Sequence, residues 1–237
     1  MTALLVVGTG PEVGATSVTA ALAALALARG ARCTVVAPAQ TGRADGEPGS
    51  LARITDLSGD GVRTVELVRY PDHLSPAAAA RRSGRPALDP AVCAEAVLTA
   101  DRDSDLVLVD APGGLLVRYD DDGFTMAELA RTLRLPVVVV AAPGRGTVNA
   151  TALTLEAVAH RGLDLQGVVV AGWPVAPGPA ECSAVADLEM LAARRLLGAL
   201  PAALEGAPGF RAQARAGLGP ALGGAFDAAA FRQATRS

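Results

Sequence analysis

Five short runs rich in valine recur along the chain, and longer stretches rich in alanine and leucine separate them. Each run is apolar at consecutive positions, so both faces of the resulting strand must be covered, which is typical of parallel sheets. No tight Asn-Gly or Asp-Gly hairpin joins one run to the next. We therefore expect an α/β fold, a doubly wound parallel sheet with right-handed crossovers and helices on both faces.

The predicted elements form a single domain over residues 1–237. Strands are predicted at residues 3–7, 33–37, 106–110, 137–142 and 168–172, and helices at residues 16–29, 90–99, 125–133, 149–161 and 181–197. Asp89 followed by Pro90 is typical of a helix start, and Gly30 and Gly162 are typical of helix ends. Residues 201–224 are rich in Gly, Ala and Pro, so loops and short helices are expected there, before a last helix around residues 225–233.

Composition excludes several classes of protein. The net charge of −3 provides no basic surface for nucleic acid. Cys33, Cys93 and Cys182 are odd in number and far apart, so neither a disulfide framework nor a zinc site is indicated. No apolar run is long enough to span a bilayer or to act as a signal peptide, so we expect a cytoplasmic protein without membrane contact.

The first valine-rich run leads into a glycine-rich loop, and residues 6–17 read VVGTGPEVGATS. A strand, a loop with three glycines and a helix form the setting of a P-loop, in which backbone N–H groups and the helix N-terminus surround a phosphate. Thr16 is placed to offer its hydroxyl to Mg²⁺. The lysine that normally reaches the outer phosphates is missing, because Ala15 takes its position and all 21 basic residues are arginines.

Four turns follow predicted strands, and we expect them to meet at one edge of the sheet. They are the glycine loop and residues 38–42, 110–114 and 144–149. The carboxyl ends of parallel strands share an edge, and the ligands of open α/β sheets bind there. The sequence therefore predicts one ligand site at these turns. Arg43 and Arg145 lie beside it, either as phosphate contacts or as ordinary surface arginines.

These turns also resemble one known family. GTGPEVGAT at residues 8–16, APAQTG at 37–42, DAPGGLLV at 110–117 and GTVNAT at 146–151 occur in this order, with YP at 70–71 and SPAAAA at 75–80 between them. Together they resemble dethiobiotin synthetase in its actinobacterial form, over nearly the whole chain, and the resemblance weakens after about residue 200. The resemblance implies a P-loop-type fold and a homodimer. It also implies that ATP and Mg²⁺ are used to form the ureido ring of dethiobiotin from 7,8-diaminononanoate and CO₂.

Carried over residue by residue, the resemblance implies three groups of site residues. ATP would be bound by Glu12, Val13, Gly14, Ala15, Thr16, Ser17, Asp110, Gly113, Gly172, Trp173, Pro201, Ala202 and Ala203. The diamine would be bound by Thr41 and Gly114, and by Thr147 and Asn149 of the neighbouring subunit. Mg²⁺ would be held by Thr16 and by Asp110, which replaces a glutamate of the family but remains a hard oxygen donor.

The chain departs from the family pattern where the family places charge. The family has catalytic lysines at the positions of Ala15 and Ala37, and its acidic metal ligand after Gly42 has no aligned counterpart in residues 45–47. Loss of one such charge partner typically lowers a rate by about 10²–10³.

Two hypotheses about function therefore stand. The first is an ATP-dependent ligase that makes dethiobiotin. The second is a catalytically degenerate homologue that acts as a ligand-binding or partner protein. A third, a P-loop ATPase of the partitioning or cobyrinate-amidation type, fits less well because residues 40–42 and 75–80 have no place in it.

Overall fold

The structure is a computed structural model, and it describes residues 2–204, 206 and 209–236. Strands β1 to β7 run over Ala3–Gly8, Cys33–Thr41, Arg63–Tyr70, Leu106–Gly114, Val137–Ala141, Leu165–Trp173 and Gly198–Pro201. Helices α1 to α9 run over Ala15–Ala28, Ser50–Ser58, Pro76–Ser83, Pro90–Asp103, Met126–Leu133, Thr147–His160, Pro179–Ala192, Gly209–Gly217 and Ala228–Ala234.

The strands of the described residues form one sheet in the order β3-β2-β4-β1-β5-β6-β7, and all neighbouring pairs are parallel. Strand β1 lies at the centre, so the glycine loop after it opens in the middle of the carboxyl edge. The predicted fold class, a doubly wound parallel sheet of P-loop type with helices on both faces, is confirmed. None of the helices within the described ranges is long and apolar enough to cross a bilayer.

An apolar layer covers each face of the sheet. In β1 the side chains of Leu5 and Val7 enter one layer, whereas Val6 enters the other. All three are fully buried, and each such burial contributes about 1.5–3 kcal/mol relative to exposure. The layer around Val6 also contains residues of α1, α2 and α8. Helices α2 and α8 therefore lie beside the helix that follows the glycine loop.

The five predicted strands are all present, but strands β3 and β7 were not predicted. Strand β3 carries Arg63, Glu66 and Arg69 among its apolar residues and lies at the edge of the sheet, where it is covered less than the central strands. The helix predicted at residues 181–197 ends as α7 at Ala192, because Ala193 takes a left-handed conformation with φ 51°. This early end leaves room for the short strand β7.

Helix boundaries follow the capping residues. The side chain of Asp89 accepts from the N–H groups of the first turn of α4, as predicted. The last helix begins at Ala228, later than predicted, because Asp227 caps it. Residues 201–224 contain α8 and a short 3₁₀ turn, as expected, whereas α2 and α3 were not predicted. All three cysteines are free, and two of them, Cys33 and Cys93, are buried.

Candidate active site

The glycine loop between β1 and α1 keeps its backbone donors free. Gly14 has φ 91°, and a Cβ built there would lie 2.7 Å from the Cβ of Ala171. A Cβ on Gly8 would lie 2.6 Å from the carbonyl oxygen of Gly10, so both positions require glycine. Within the described residues, the N–H groups of residues 12–16 donate to no protein acceptor. Free donors at the N-terminus of α1 are the arrangement that binds phosphate.

Asp110 lies on the neighbouring strand and is held by the first turns of α1. It pairs in register with Val6 of β1 and is almost completely buried. The Thr16 hydroxyl donates to its Oδ2 at 3.2 Å, and the Thr19 hydroxyl donates to its Oδ1 at 2.9 Å. Residues three apart share one face of a helix, so both hydroxyls of α1 point at the same carboxylate.

Burial raises the pKa of Asp110, and the hydrogen bonds from Thr19, Thr16 and Ser50 offset this only in part. None of the ion pairs among the described residues includes Asp110. A buried carboxylate without a cation is costly, and a bound divalent cation would remove that cost.

The donor set fits Mg²⁺ rather than a metal held by protein ligands alone. In the part of the chain that the structure describes, no group of three or more His, Cys, Asp or Glu side chains could hold a metal. Mg²⁺ takes few protein ligands and completes its shell with phosphate and water oxygens. The Asp110 carboxylate and the Thr16 hydroxyl are hard oxygen donors of that kind, and they lie beside the free donors of the loop.

Ala15 and Ala37, at which the family resemblance implies lysines, lie on the two elements next to this carboxylate. Ala15 is the first residue of α1. Ala37 follows Val36, which pairs with Val109, so Ala37 is level with Asp110 across β2 and β4. Strand alternation places Ala37 on the face opposite to Val36, which is the α1 face, and the residue is buried. Neither alanine brings a charged group to Asp110.

A cavity of about 300 Å³ opens beside the loop. Its lining combines the loop, the ends of β5, β6 and β7 and one arginine of α2: Glu12, Val13, Gly14, Ser17, Arg53, Ala142, Pro143, Ala171, Gly172, Leu200, Pro201, Ala202 and Leu204. Part of the lining belongs to the glycine loop, and the lining residues from the strand ends are mainly apolar. Such a combination suits a ligand with a charged end and a flat apolar end.

The structure brings together most of the residues predicted to bind ATP. Glu12, Val13, Gly14, Ser17, Gly172, Pro201 and Ala202 line the cavity. Thr16 and Asp110 lie on the other side of the loop, paired with each other. Six of the thirteen predicted residues do not line the cavity: Ala15, Thr16, Asp110, Gly113, Trp173 and Ala203. The Trp173 ring packs on Phe231 with a centroid distance of 4.9 Å, although its carbonyl oxygen accepts from the Ala202 N–H, and the Ala203 carbonyl accepts from Gln213.

The residues predicted to bind the diamine lie on the same edge of the sheet. Gly114 pairs with Gly8, and Thr41 ends β2. The carbonyl oxygen of Gly113 lies 3.2 Å from a Cβ built on Gly8, so the turn after β4 touches the glycine loop.

Helix α6 carries the two residues predicted to reach the substrate of a neighbouring subunit. Thr147 is buried at its start, and its hydroxyl has no hydrogen-bond partner among the described residues. Asn149 is exposed, so it is accessible to a second copy of the chain.

Sequence reasoning missed eight residues that the fold brings to the site, and four of them, Ala142, Pro143, Ala171 and Leu200, are small or apolar residues at the strand ends that line the cavity. Thr19 and Ser50 contact Asp110, and Arg53 and Leu204 line the cavity. A threonine three residues after Thr16 is a signal that the sequence offers. The positions of Ser50, Arg53 and Leu204 depend on where α2 and the chain after β7 pack, which no local pattern reveals.

The acidic and basic residues of the loop after β2 are used elsewhere. Asp45 forms an ion pair with Arg85 at 2.8 Å, and the Glu47 carboxylate accepts from the N–H of Ala44. Arg43 donates to the carbonyl oxygen of Gly42. Neither Arg43 nor Arg145 lines the cavity.

The sequence is similar to a known family over its whole length. Residues 2–205 match the family model described as AAA domain. The chain is 57% identical to the ATP-dependent dethiobiotin synthetase BioD of Parafrankia sp. and 56% identical to that of Frankia casuarinae, with 98% of each chain covered in both cases. It is 46% identical to the protein of the same name from Streptomyces avermitilis, covering 99% of both chains.

Solved structures show the same fold at low sequence identity. The cell division ATPase MinD of Pyrococcus furiosus superimposes with a TM-score of 0.55 at 17% identity, covering 86% of this chain and 84% of that one. A ParA family ATPase from Chlorobium tepidum superimposes with a TM-score of 0.55 at 12% identity, covering 84% and 83%. These likenesses support the fold, and the full-length sequence identities decide the family. The chain belongs to the dethiobiotin synthetase family.

Proposed function

We propose that this protein is an ATP-dependent ligase of biotin biosynthesis, which forms the ureido ring of dethiobiotin from 7,8-diaminononanoate and CO₂. The observation that carries the proposal is the identity of 57% to a protein named ATP-dependent dethiobiotin synthetase, over 98% of both chains. The reaction takes place in the cytoplasm, where ATP is available. The glycine loop and the cavity beside it, at one edge of the sheet, support the proposed use of ATP.

The nucleotide half of the site is built from α1 and the ends of four strands. The free N–H groups of residues 12–16 orient the phosphates, and Asp110 and Thr16 hold Mg²⁺ beside them. Gly172 and the turn of residues 201–203, which Trp173 supports through its carbonyl oxygen, hold the base. CO₂ and one amine of the substrate form a carbamate. When bound, MgATP would supply the phosphoryl group that activates this carbamate.

The substrate half lies on the β2 and β4 side of the loop. Thr41 and Gly114 hold the diamine next to the phosphates, and the backbone at Gly113 allows close approach. Thr147 and Asn149 of a second subunit complete the site, which requires a homodimer. Every group in this half orients the substrate, and none of them supplies positive charge.

A second candidate function is a catalytically degenerate homologue that binds ligand or a partner without turnover. The observation that favours it is the pair of methyl groups at Ala15 and Ala37. Both lie beside the buried Asp110, where no ion pair brings a cation from the described residues. Electrostatic stabilisation of the transferring phosphoryl group is the main catalytic device of such sites, so its loss bears directly on rate.

The two candidates differ in one measurement. The purified protein is incubated with 7,8-diaminononanoate, bicarbonate and MgATP, and dethiobiotin and ADP are quantified, while calorimetry measures ATP binding. Equal amounts of dethiobiotin and ADP establish the ligase. ATP binding without product establishes the degenerate homologue, and the absence of both contradicts a nucleotide site. Growth of a biotin auxotroph that lacks its own enzyme provides the matching test in cells.

A further inference from the structure

We propose that Arg53 is the cation of the nucleotide site, and that its guanidinium contacts the nucleotide phosphates from α2. This inference rests on the proposed nucleotide site and goes beyond it, because neither the glycine-loop pattern nor the family resemblance assigns any role to Arg53. The argument depends on where α2 packs, on the partners of Arg53, and on the charges around the cavity.

The packing of α2 places Arg53 at the cavity. The buried side of α2 includes Ile54, which packs in the same apolar layer as α1. Ser50 at the start of the helix contacts Asp110, and Arg53 follows three residues later, on a neighbouring part of the same side. Arg53 consequently lines the cavity together with Gly14 and Ser17 of the phosphate loop.

Among the described residues, Arg53 is the only basic one in that lining, and none of their side chains is its partner. Its guanidinium forms no ion pair and no side-chain hydrogen bond within residues 2–204, 206 and 209–236. Glu12 lines the same cavity, yet no ion pair joins the two side chains. Other arginines near this edge are engaged, since Arg69 binds Glu66 and Arg85 binds Asp45. The Arg53 donors therefore remain available to a ligand.

The chemistry of the ligand follows from the lining of the cavity. A planar guanidinium with five donors matches the oxygens of a phosphate group. The loop donors of residues 12–16 and Arg53 would together hold a polyphosphate, while the apolar residues Pro201 and Leu204 take the nucleoside. Arg53 acts here as a binding residue.

The test compares nucleotides with different numbers of phosphates. Dissociation constants for MgATP, ADP, AMP and adenosine are measured by calorimetry at low salt in the wild type, Arg53→Ala and Arg53→Lys. A charge-assisted hydrogen bond lost in Arg53→Ala weakens MgATP binding by about tenfold or more, because such bonds contribute about 1.5–3 kcal/mol. Arg53→Lys keeps the positive charge but loses the planar pair of guanidinium donors, so its affinity for MgATP falls between those of the wild type and Arg53→Ala. Adenosine affinity changes less than about twofold, since it carries no phosphate.

The control is Arg131→Ala, an arginine of α5 that is exposed and lies on another part of the surface. It leaves MgATP affinity unchanged, and circular dichroism and the melting temperature show that all variants fold. Equal MgATP affinity in the wild type and Arg53→Ala overturns the inference and leaves the proposed function standing. An equal loss for adenosine overturns the phosphate assignment. Absence of MgATP binding in the wild type overturns the proposed function, and this inference with it.

Discussion

At the residue scale, the glycine loop and Asp110 gather N–H and oxygen groups in one place, and the sequence contains no lysine. The loop donors, the Thr16 hydroxyl and the Asp110 carboxylate are all present in one place. The proposed function requires positive charge beside the transferring phosphoryl group, and Ala15 and Ala37 supply none. The rate of the proposed reaction therefore depends on how this positive charge is supplied.

Restoring both lysines should raise the rate of dethiobiotin formation. In the double variant Ala15→Lys and Ala37→Lys, two ammonium groups enter a buried region next to Asp110, and one preorganised charge typically contributes at least about tenfold. We expect turnover at least about tenfold above the wild type. The double variant Ala15→Met and Ala37→Met adds similar length without charge and should show no gain. If the wild type is active and the lysine variant shows no higher turnover, another cation, such as Arg53, already stabilises the charge on the phosphoryl group.

The buried carboxylate should also make stability depend on pH. The pKa of Asp110 is raised above its ordinary value of 3.8 by burial, so the folded state holds this proton more tightly than the unfolded state. Stability is therefore lost as pH rises through the folded pKa. Asp110→Asn removes this loss, so in Mg²⁺-free buffer it should exceed the wild type in melting temperature by a margin that grows with pH. A difference in melting temperature between the two proteins that stays constant across the pH range would contradict a raised pKa of Asp110.

At the scale of elements, the segment between β1 and α1 is specified by backbone sterics. Gly14 needs φ 91° and approaches Ala171 of β6 closely, whereas Gly10 has open space around its Cβ position and no left-handed backbone. These two glycines of one loop therefore provide a matched pair for measuring how far loop shape controls stability and binding.

Gly14→Ala should destabilise the protein and weaken MgATP binding. A left-handed alanine costs about 1–2 kcal/mol, and the contact at 2.7 Å with Ala171 adds to it. Gly10→Ala should change stability by less than about 0.5 kcal/mol, as typical surface substitutions do. Urea unfolding measures both, and calorimetry follows MgATP binding. Similar midpoints for the two variants would mean that the loop relaxes around the added methyl group.

The elements that the sequence predicted are those whose signals are local. Uniformly apolar runs identified the five central strands, and Asp89 before Pro90 marked the start of α4. Strand β3 was not predicted because charged residues interrupt its apolar pattern at the edge of the sheet. Helix α7 was predicted too long because no glycine marks its end at Ala193.

The same distinction applies to the site. The glycine loop and Asp110 were recognised from residues adjacent in sequence, and the fold then placed them together. Ser50 and Arg53 could not be found in this way, because their roles depend on α2 packing against α1. The alanines at positions 15 and 37 can be read directly from the sequence, whereas the placement of Arg53 beside the cavity can be seen only in the structure.

At the scale of the whole molecule, one face of α6 is exposed to solvent in the single chain. Leu153 is 59% exposed and lies four residues after the exposed Asn149, so both share one face of the helix. The proposed function requires this face to reach the substrate site of a second copy.

We expect a two-fold homodimer in solution. Light scattering after gel filtration should give twice the chain mass of 23.8 kDa at micromolar concentration. Leu153→Arg should lower the dimer fraction, since it places a charge in an apolar contact. Met190→Arg, on the exposed end of α7, should leave the dimer intact. A monomer in the wild type would remove the shared site from the proposal.

The thiols give this molecule a built-in position for a spectroscopic probe. Burial raises the pKa of both Cys33 and Cys93 to about 12, so neither thiol reacts with maleimides near neutral pH. Cys182 is partly exposed in the first turns of α7, next to Glu181, whose carboxylate lies against Gly144 in the turn before α6. With no lysine side chain to compete, a maleimide dye should attach at Cys182 alone. Its fluorescence would then report on the turn before α6 as ligand is added, without any engineered cysteine.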